Sequence, residues 1–330
     1  MPGICGLAQP PSQAGAASSA LAGQMLSALS YARCRGHRQI DTPSGFLGCT
    51  YIPESTFDPF DESDSVSVVF HGYLARQAGH SGNSDGQADG ARTVGELYAR
   101  HGEQFVHHLE GSFAVAIWDR HAERLVICND RLGLRPVYLR RQASTLWFAS
   151  EVKALLTDPA FPRTPNRRAL ASLLLLGNVL GEDTLFDDIR LLPAGSILVW
   201  QKGRISMRPH TALSYPCGIS PPQPEEAAEA VYEAVSGAVS RMLRPDLRYG
   251  LMLSGGLDSR WLAGVMQEEC PDTIAFTFGD ETADDTRIAA RVAHALEMKH
   301  VHRPMPWDYL ARQADEIVHI LDTADRFKEV

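Results

Sequence analysis

The sequence predicts an α+β domain rich in strands, followed by an α/β domain with a parallel sheet. Short apolar runs separated by turn residues recur from 66 to 200, a proline-rich stretch without periodicity covers 207–224, and helical and strand patterns alternate after it. We therefore expect domains at 1–206 and 225–330, joined by a linker at 207–224.

The elements follow from these patterns. Five apolar runs predict strands in the first domain: Val66–Phe70, Phe113–Trp118, Leu125–Cys128, Leu146–Ala149 and Ile197–Trp200. The glycine-rich segment 77–92 predicts a loop. The second domain should contain, in order, a helix from near Glu225, a strand at Arg248–Leu253, a helix at Arg260–Glu268, a strand at Ile274–Phe278 and a helix at Asp285–Leu296. Strands that alternate with helices imply a parallel sheet.

Composition excludes several classes of partner. The formal charge of −9 argues against nucleic acid and anionic membranes. No apolar run approaches the roughly 20 residues that a membrane span needs. The six cysteines show neither metal-site nor disulfide spacing and no signal peptide precedes them, so a cytoplasmic location is expected.

The segment Ser254-Gly255-Gly256-Leu257-Asp258-Ser259, below called the SGGLDS loop, stands where a predicted strand hands over to a helix. Ligand sites of parallel sheets form at such points. The glycines would let phosphate oxygens reach backbone N–H groups, and the serine hydroxyls could add donors. A carboxylate among phosphates requires a cation, so Asp258 is the predicted Mg²⁺ ligand. No lysine follows, which excludes the common P-loop, and the alternative is a plain turn with a serine N-cap.

These residues resemble the asparagine synthetase family. Gly250–Leu253 with the SGGLDS loop resembles its ATP-pyrophosphatase loop, and Phe276–Gly279 resembles its adenine-reading strand. Similar segments are Leu109–Ala114, Asn129–Tyr138, Phe148–Leu155, Leu191–Gly195 and Asp284–His300. The resemblance implies an N-terminal nucleophile (Ntn) hydrolase-like sandwich followed by a PP-loop domain of the adenine nucleotide alpha hydrolase-like type.

The resemblance also implies ATP and Mg²⁺ as cofactors, with Mg²⁺ on Asp258. The implied ATP and pyrophosphate site comprises Leu253, Ser254, Gly255, Gly256, Leu257, Asp258, Ser259, Phe278 and Gly279. For Asp284 and Asp285 we favour an N-cap and first-turn role over catalysis. For His300, packing at a strand start and a catalytic role weigh equally.

The first domain resembles a class II glutamine amidotransferase domain that has lost its catalytic residues. Pro2 stands at the position of the nucleophilic cysteine, and Cys5 is expected to be a core thiol. The family's Asn-Gly-Glu appears as His71-Gly72-Tyr73, its glutamine-binding arginine falls near Tyr51, and its Ser-Asp falls near Asp89-Gly90. We expect no catalytic residue in this domain.

An amide synthetase without glutaminase needs ammonia or an amine on its own substrate, as in β-lactam synthetase and lasso peptide cyclases. We therefore expect an ATP-dependent ligase that adenylates a small-molecule or peptide carboxylate and releases AMP and pyrophosphate. A homodimer or a peptide-carrier partner is compatible with this. Asparagine synthesis from ammonia and a non-catalytic nucleotide-binding fragment are the alternatives. An active amidohydrolase would need a mature N-terminus at Cys5.

The resemblance places further family segments, including a second acidic loop, beyond Val330, so the chain is expected to be incomplete at its C-terminus. Asp322 and Asp325 resemble an acidic family segment, although the charged face of a helix would also explain them. Arg260 is expected either to contact the nucleotide or substrate or to form a surface salt bridge.

Overall fold

The computed structural model describes residues 3–11, 17–31, 36–53, 58–75, 90–214, 223–244 and 247–322. These form two compact units, the first from 3–74, 90–214 and 318–322 with their gaps, and the second from 223–317. Pro2, Asp89, Asp325 and most of the predicted loop at 77–92 lie outside the described residues.

The first unit contains two six-stranded antiparallel sheets. The strands are β1 (Gly3–Ala8), β2 (Gly36–Thr42), β3 (Gly45–Tyr51), β4 (Phe60–Glu62), β5 (Val66–Leu74), β6 (Gly111–Asp119), β7 (Arg124–Asn129), β8 (Tyr138–Gln142), β9 (Thr145–Ala149), β10 (Ile189–Leu191), β11 (Ser196–Gln201) and β12 (Arg204–Pro209). One sheet has the order β10-β8-β9-β1-β3-β2, and the other β12-β11-β7-β6-β5-β4. The five strands predicted from apolar runs are all confirmed.

The two sheets pack face to face, because alternate apolar side chains of each strand point inward. Ile4 and Leu47 of one sheet meet Trp118, Ile127 and Trp200 of the other in one core. Helices α1 (Ala17–Leu29) and α3 (Val152–Leu155) cover one outer face, whereas α2 (Gly90–His101) and a 3-10 helix (Gly102–His108) cover the other. The helix α4 (Arg167–Leu176) follows along the chain. The predicted α+β sandwich is confirmed.

The second unit alternates helices with parallel strands. Its elements are α5 (Pro224–Met242), β13 (Gly250–Met252), α6 (Leu257–Glu269), β14 (Ile274–Phe278), α7 (Asp284–Ala295), β15 (Lys299–Arg303) and the part of α8 (Tyr309–Leu321) that precedes Val318. The strands pair in the order β13-β14-β15. Leu253, Ala263, Ala275, Ala289 and Met298 form the core between sheet and helices. The predicted parallel sheet is confirmed.

Among the boundaries that differ from the prediction, two concern the linker and the SGGLDS loop. Met207 pairs with Leu198, so the first three residues of the predicted linker belong to β12, which ends at Pro209. The helix α6 begins at Leu257, three residues before the predicted start at Arg260, because Gly256 has the extended φ of −68° and ψ of 151° of an N-cap. Half of the SGGLDS loop is therefore helical. Within the described ranges, no helix is long and apolar enough to cross a bilayer.

Candidate functional site

The SGGLDS loop connects the carboxyl end of β13 to the first turn of α6. Its serines bond within the loop: the Ser254 N–H donates to Ser259 Oγ at 3.1 Å, the Gly256 N–H donates to Ser254 Oγ at 3.2 Å, and the two hydroxyl oxygens lie 3.0 Å apart. The alternative of a plain turn with a serine N-cap is wrong in its cap, since the cap residue is Gly256 and no side chain caps the helix.

The beginning of α6 leaves backbone donors open. The N–H groups of Leu257, Asp258 and Ser259 have no acceptor among the residues that the structure describes, as is usual for a first helical turn without a side-chain cap. Leu257 and Asp258 are exposed. The helix dipole and these N–H groups favour an anion here. The arrangement therefore fits a phosphate group.

The two glycines differ in what surrounds them. A Cβ added to Gly255 would lie 2.4 Å from Asp285 Oδ1 and 2.9 Å from Asp285 Cα. A Cβ added to Gly256 would meet only Ser254 Oγ, at 3.3 Å. The close approach of α7 therefore requires glycine at 255, whereas the protein itself leaves space at Gly256, where a ligand could approach.

Asp258 is exposed and has no hydrogen-bond or ion-pair partner in the described part of the chain. An exposed carboxylate beside free N–H donors fits a cation that accompanies a phosphate. The described residues include no group of three or more His, Cys, Asp or Glu side chains arranged to hold a metal by themselves. A cation held by Asp258 would thus need oxygen ligands from the phosphates, and it would neutralise their charge.

Three charged residues lie near the SGGLDS loop: Asp284, Asp285 and Arg260. Asp284 and Asp285 lie in the first turn of α7, and the N-cap is Ala283, so the first-turn expectation is confirmed and the N-cap expectation is wrong. Asp284 pairs with Arg287 at 2.7 Å. Arg260 forms no ion pair with a described residue; its Nε donates to the Gly256 carbonyl at 3.3 Å, which ties the first turn of α6 to the cap residue.

The second predicted segment lies at the carboxyl end of β14. Phe278 is exposed there, and Gly279 follows with φ of +140°, a conformation that only glycine adopts easily. The Gly279 carbonyl accepts from Met305 N–H at 3.3 Å and from His302 Nε2 at 3.0 Å. His300 lies on β15, and its Nε2 is 2.8 Å from Thr277 Oγ1, so the packing role expected for it becomes a defined hydrogen bond.

Sequence reasoning missed Thr277 and His302. Both belong to alternating positions on neighbouring parallel strands, and only the register of β14 with β15 brings them beside Leu253 and Gly279. The alternation of histidines at 300 and 302 was the available signal.

An apolar groove of about 690 Å³ lies elsewhere in the second unit, between α5 and α6. Tyr232 and Trp261 stack along it with centroids 6.3 Å apart. None of its lining residues belongs to the SGGLDS loop. The SGGLDS loop and this groove are therefore separate, and the chemistry of the loop decides the candidate site.

The positions at which the resemblance places glutaminase residues hold other groups here. His71 is buried in β5 with no partner for Nδ1. Burial, reinforced by the nearby Arg135 guanidinium, lowers the pKa of His71 to about 3, so the ring is neutral near pH 7. Gly72 has a φ of +141°, and an added Cβ would lie 2.1 Å from the Ser112 carbonyl oxygen. The position therefore requires glycine. Tyr51 packs edge-on against Phe60.

Cys5 is a core thiol, as expected. It is fully buried in β1 between Gly48 of β3 and Ala149 of β9, and burial raises its pKa well above the ordinary value, as it does for Cys128.

We predict that a thiol reagent labels Cys5 and Cys128 at least about 100-fold more slowly in native than in unfolded protein. Peptide mass spectrometry would measure this, with the half-exposed Cys270 as internal control. Labelling of Cys5 as fast as Cys270 would contradict the prediction.

Asp322 lies in the first unit directly after α8. Its carboxylate accepts from the backbone N–H groups of Val152 and Lys153, the latter at 3.3 Å, and Lys153 Nζ donates to the His319 carbonyl at 2.6 Å. The charged-face explanation is therefore wrong for Asp322, because the side chain caps α3. Burial raises its pKa to about 6, although Lys153 opposes this.

A raised folded pKa means that this group's stabilising contribution is complete below pH 3.8 and is lost as the pH rises through about 6. We predict that, relative to Asp322→Asn, the free energy of unfolding of the parent falls by on the order of 2 kcal/mol between about pH 4 and pH 7. Denaturant titrations of both proteins across this range would measure it. A difference that stays constant with pH would show that folding leaves the pKa of Asp322 unshifted.

Two family models match the chain. Residues 74–211 match a glutamine amidotransferase domain, and residues 230–328 match asparagine synthase. Together these matches support a relationship of the chain to the asparagine synthetase family. The first matched segment lies mostly within the predicted domain 1–206 and ends at 211 in the predicted linker, and the second lies within the predicted domain 225–330.

Curated proteins that are similar to this chain include asparagine synthetases and amidases. Asparagine synthetase [glutamine-hydrolyzing] 2 of Bacillus subtilis (strain 168) is 28% identical over 269 residues, which are 74% of this chain and 35% of that protein. Amidase chyE of Penicillium rubens is 27% identical over 296 residues, 79% of this chain and 43% of that protein. The chain thus spans between 35% and 43% of the length of these relatives.

Among solved structures, glutamine phosphoribosylpyrophosphate amidotransferase from B. subtilis, complexed with ADP and GMP, is similar over 91% of this chain and 65% of that chain. Its sequence identity is 13% and the TM-score is 0.42. A score this low carries no argument about this chain.

Proposed function

We propose that this chain belongs to an ATP-dependent carbon–nitrogen ligase that adenylates a carboxylate and has no working glutaminase. The observation that carries the proposal is the open N-terminus of α6 beside the exposed Asp258. The first unit would have the Ntn-type fold and the second the PP-loop type, as the resemblance to the asparagine synthetase family suggests. Leu253, the SGGLDS loop, Phe278 and Gly279 would form the nucleotide site.

The chemistry assigned to this site has two steps. A substrate carboxylate oxygen attacks the α-phosphorus of ATP, the bond from that phosphorus to the bridging oxygen breaks, and pyrophosphate leaves. An amine nitrogen then attacks the acyl carbon, loses its proton to solvent or a base, and displaces AMP. Mg²⁺, when bound, would offset charge on the leaving pyrophosphate, and the first-turn N–H groups of α6 would donate to its oxygens.

The first unit supports a substrate amine or free ammonia rather than glutamine. Cys5 is inaccessible, His71 is neutral and buried, and Tyr51 stands near the position at which relatives hold the glutamine carboxylate. Pro2 would leave the mature chain without a nucleophile. We favour a peptide or intramolecular amide as product, because every glutaminase determinant that can be compared is altered.

Asparagine formation from ammonia is the second candidate. Similarity to asparagine synthetases favours it, since the same nucleotide site would serve aspartate. A chain that binds ATP but transforms nothing is the third, and it shares the nucleotide site without the chemistry.

Product analysis would test these proposals. The 330-residue chain, together with any longer product of the same reading frame, would be incubated with MgATP plus aspartate and ammonium, plus glutamine, or plus peptides that carry both a carboxylate and an amine. We expect AMP and pyrophosphate, in equal amounts, only with the true carboxylate, and no glutamate from glutamine. Release of ADP and phosphate would refute attack at the α-phosphorus, and MgATP binding without turnover in any arm would favour the non-catalytic candidate.

A further inference from the structure

Two histidines of β15 form hydrogen bonds to the two segments that we propose bind the nucleotide. His300 Nε2 lies 2.8 Å from Thr277 Oγ1, and His302 Nε2 lies 3.0 Å from the Gly279 carbonyl oxygen. Residues two apart in a strand face the same side, so both rings project from one face of the sheet. This face links β15 to both parts of the site.

The direction of the first bond follows from counting protons. Thr277 Oγ1 donates its single proton to the Leu253 carbonyl at 2.8 Å. The His300 ring must therefore donate from Nε2, which fixes the tautomer. The resulting relay runs from His300 through Thr277 to Leu253, the residue immediately before the SGGLDS loop. Thr277 and Leu253 are buried, at 3% and 2% exposure, so this relay is protected from competing water.

The second bond acts on the other segment. A carbonyl oxygen only accepts, so His302 also donates from Nε2. The Gly279 N–H donates to the Arg303 carbonyl at 3.2 Å, and the Gly279 carbonyl also accepts from Met305 N–H. Three hydrogen bonds thus hold a glycine that has φ of +140° and would otherwise sample many conformations.

We propose that His300 and His302 are positioning residues that hold the Leu253 carbonyl and the Gly279 backbone in the arrangement that binds ATP. The inference rests on the proposed nucleotide site. Neither histidine needs to touch the nucleotide: His300 acts through Thr277, and His302 acts through the main chain of Gly279.

Matched substitutions separate positioning from packing. His300→Ala removes the donor, whereas the Nε2 of His300→Gln can still donate. Thr277→Val keeps the shape and removes the hydroxyl, whereas Thr277→Ser keeps the hydroxyl. His302→Ala and His302→Gln form the corresponding pair on Gly279. His294→Gln, at an exposed position of α7, is the control histidine.

Two measurements on the 330-residue chain would be combined: the dissociation constant of MgATP, and hydrogen exchange, without nucleotide, of the Leu253, Ser254 and Gly256 amides, which donate to Phe276, Ser259 and Ser254. We expect His300→Ala and Thr277→Val each to weaken MgATP binding about tenfold and to accelerate amide exchange by a similar factor, as the loss of one buried hydrogen bond would. The double variant should be no worse than either single variant, because both interrupt the same relay. The Gln and Ser variants should remain within about twofold of the parent.

The outcomes distinguish this inference from the proposed function. Unchanged amide exchange in His300→Ala, or a double variant whose effects add fully, would overturn the relay. If His300→Ala and His300→Gln both failed to fold, the His300 ring would be needed for packing, and the relay would also be overturned. Faster exchange in a chain whose parent binds no MgATP would support the relay and remove the nucleotide site.

Discussion

Replacing Asp258 by asparagine is expected to weaken MgATP binding by roughly 100-fold and to leave stability unchanged. The side chain is exposed and has no partner among the described residues, so its loss disturbs no contact within the protein. Without a metal ion, the expected effect of the substitution on ATP affinity is the opposite. A carboxylate beside the open N-terminus of α6 repels unchelated ATP, so the variant should bind metal-free ATP at least as tightly as the parent does.

Calorimetric titrations with ATP in excess Mg²⁺ and in excess EDTA would measure both effects. Asp272→Asn is the matched control, because Asp272 is also exposed and precedes β14 at its amino end. An Asp258→Asn protein that retains the parent's dependence on Mg²⁺ would remove Asp258 as the metal ligand. A variant with lower thermal stability would instead show a structural role that its surroundings do not suggest.

Local pattern was sufficient for much of the fold. Alternating apolar residues predicted β5, β6, β7, β9 and β11, and the change of period after 224 predicted the parallel sheet. The strand β8 was missed because it carries Arg140. That side chain is buried between the rings of Trp147 and Phe161, with the guanidinium carbon 4.6 Å and 4.5 Å from their centroids, and its Nη1 bonds Asp158 at 2.8 Å. Only partners distant in sequence make such a charge tolerable inside.

Some features of the candidate site could likewise be predicted from the sequence, and others could not. The SGGLDS loop was recognisable because glycine and serine at a strand end are readable locally. Its hydrogen bonds were not readable: Ser259 Oγ accepts from the Ser254 N–H, and the helix begins at Leu257 inside the motif. Asp322 is a further example, since a residue after the last helix caps α3 some 170 positions away in sequence. Such pairings depend on tertiary structure, which no local pattern encodes.

The glycine pair of the SGGLDS loop should separate a structural requirement from a ligand requirement. In Gly255→Ala the new methyl would lie 2.9 Å from Asp285 Cα, which is backbone and cannot rotate away. We expect the free energy of unfolding to fall by about 1–3 kcal/mol, as overpacking does elsewhere. In Gly256→Ala the methyl would meet only Ser254 Oγ, and the extended φ of −68° suits alanine, so the stability cost should stay below about 1 kcal/mol.

Gly256→Ala, which should lose less stability than Gly255→Ala, should lose more affinity for MgATP. The methyl of Gly256→Ala would occupy the space through which a phosphate reaches the N–H groups of α6, so binding should weaken at least about tenfold in a fully folded protein. Denaturant unfolding and calorimetry on the same samples would give both quantities. Asp285→Ala in the Gly255→Ala background provides a further check, because it removes the Oδ1 contact at 2.4 Å and should restore part of the lost stability. If Gly256→Ala bound MgATP like the parent, no phosphate would approach that backbone, and the shared glycines would reflect only the packing of α7 against the loop.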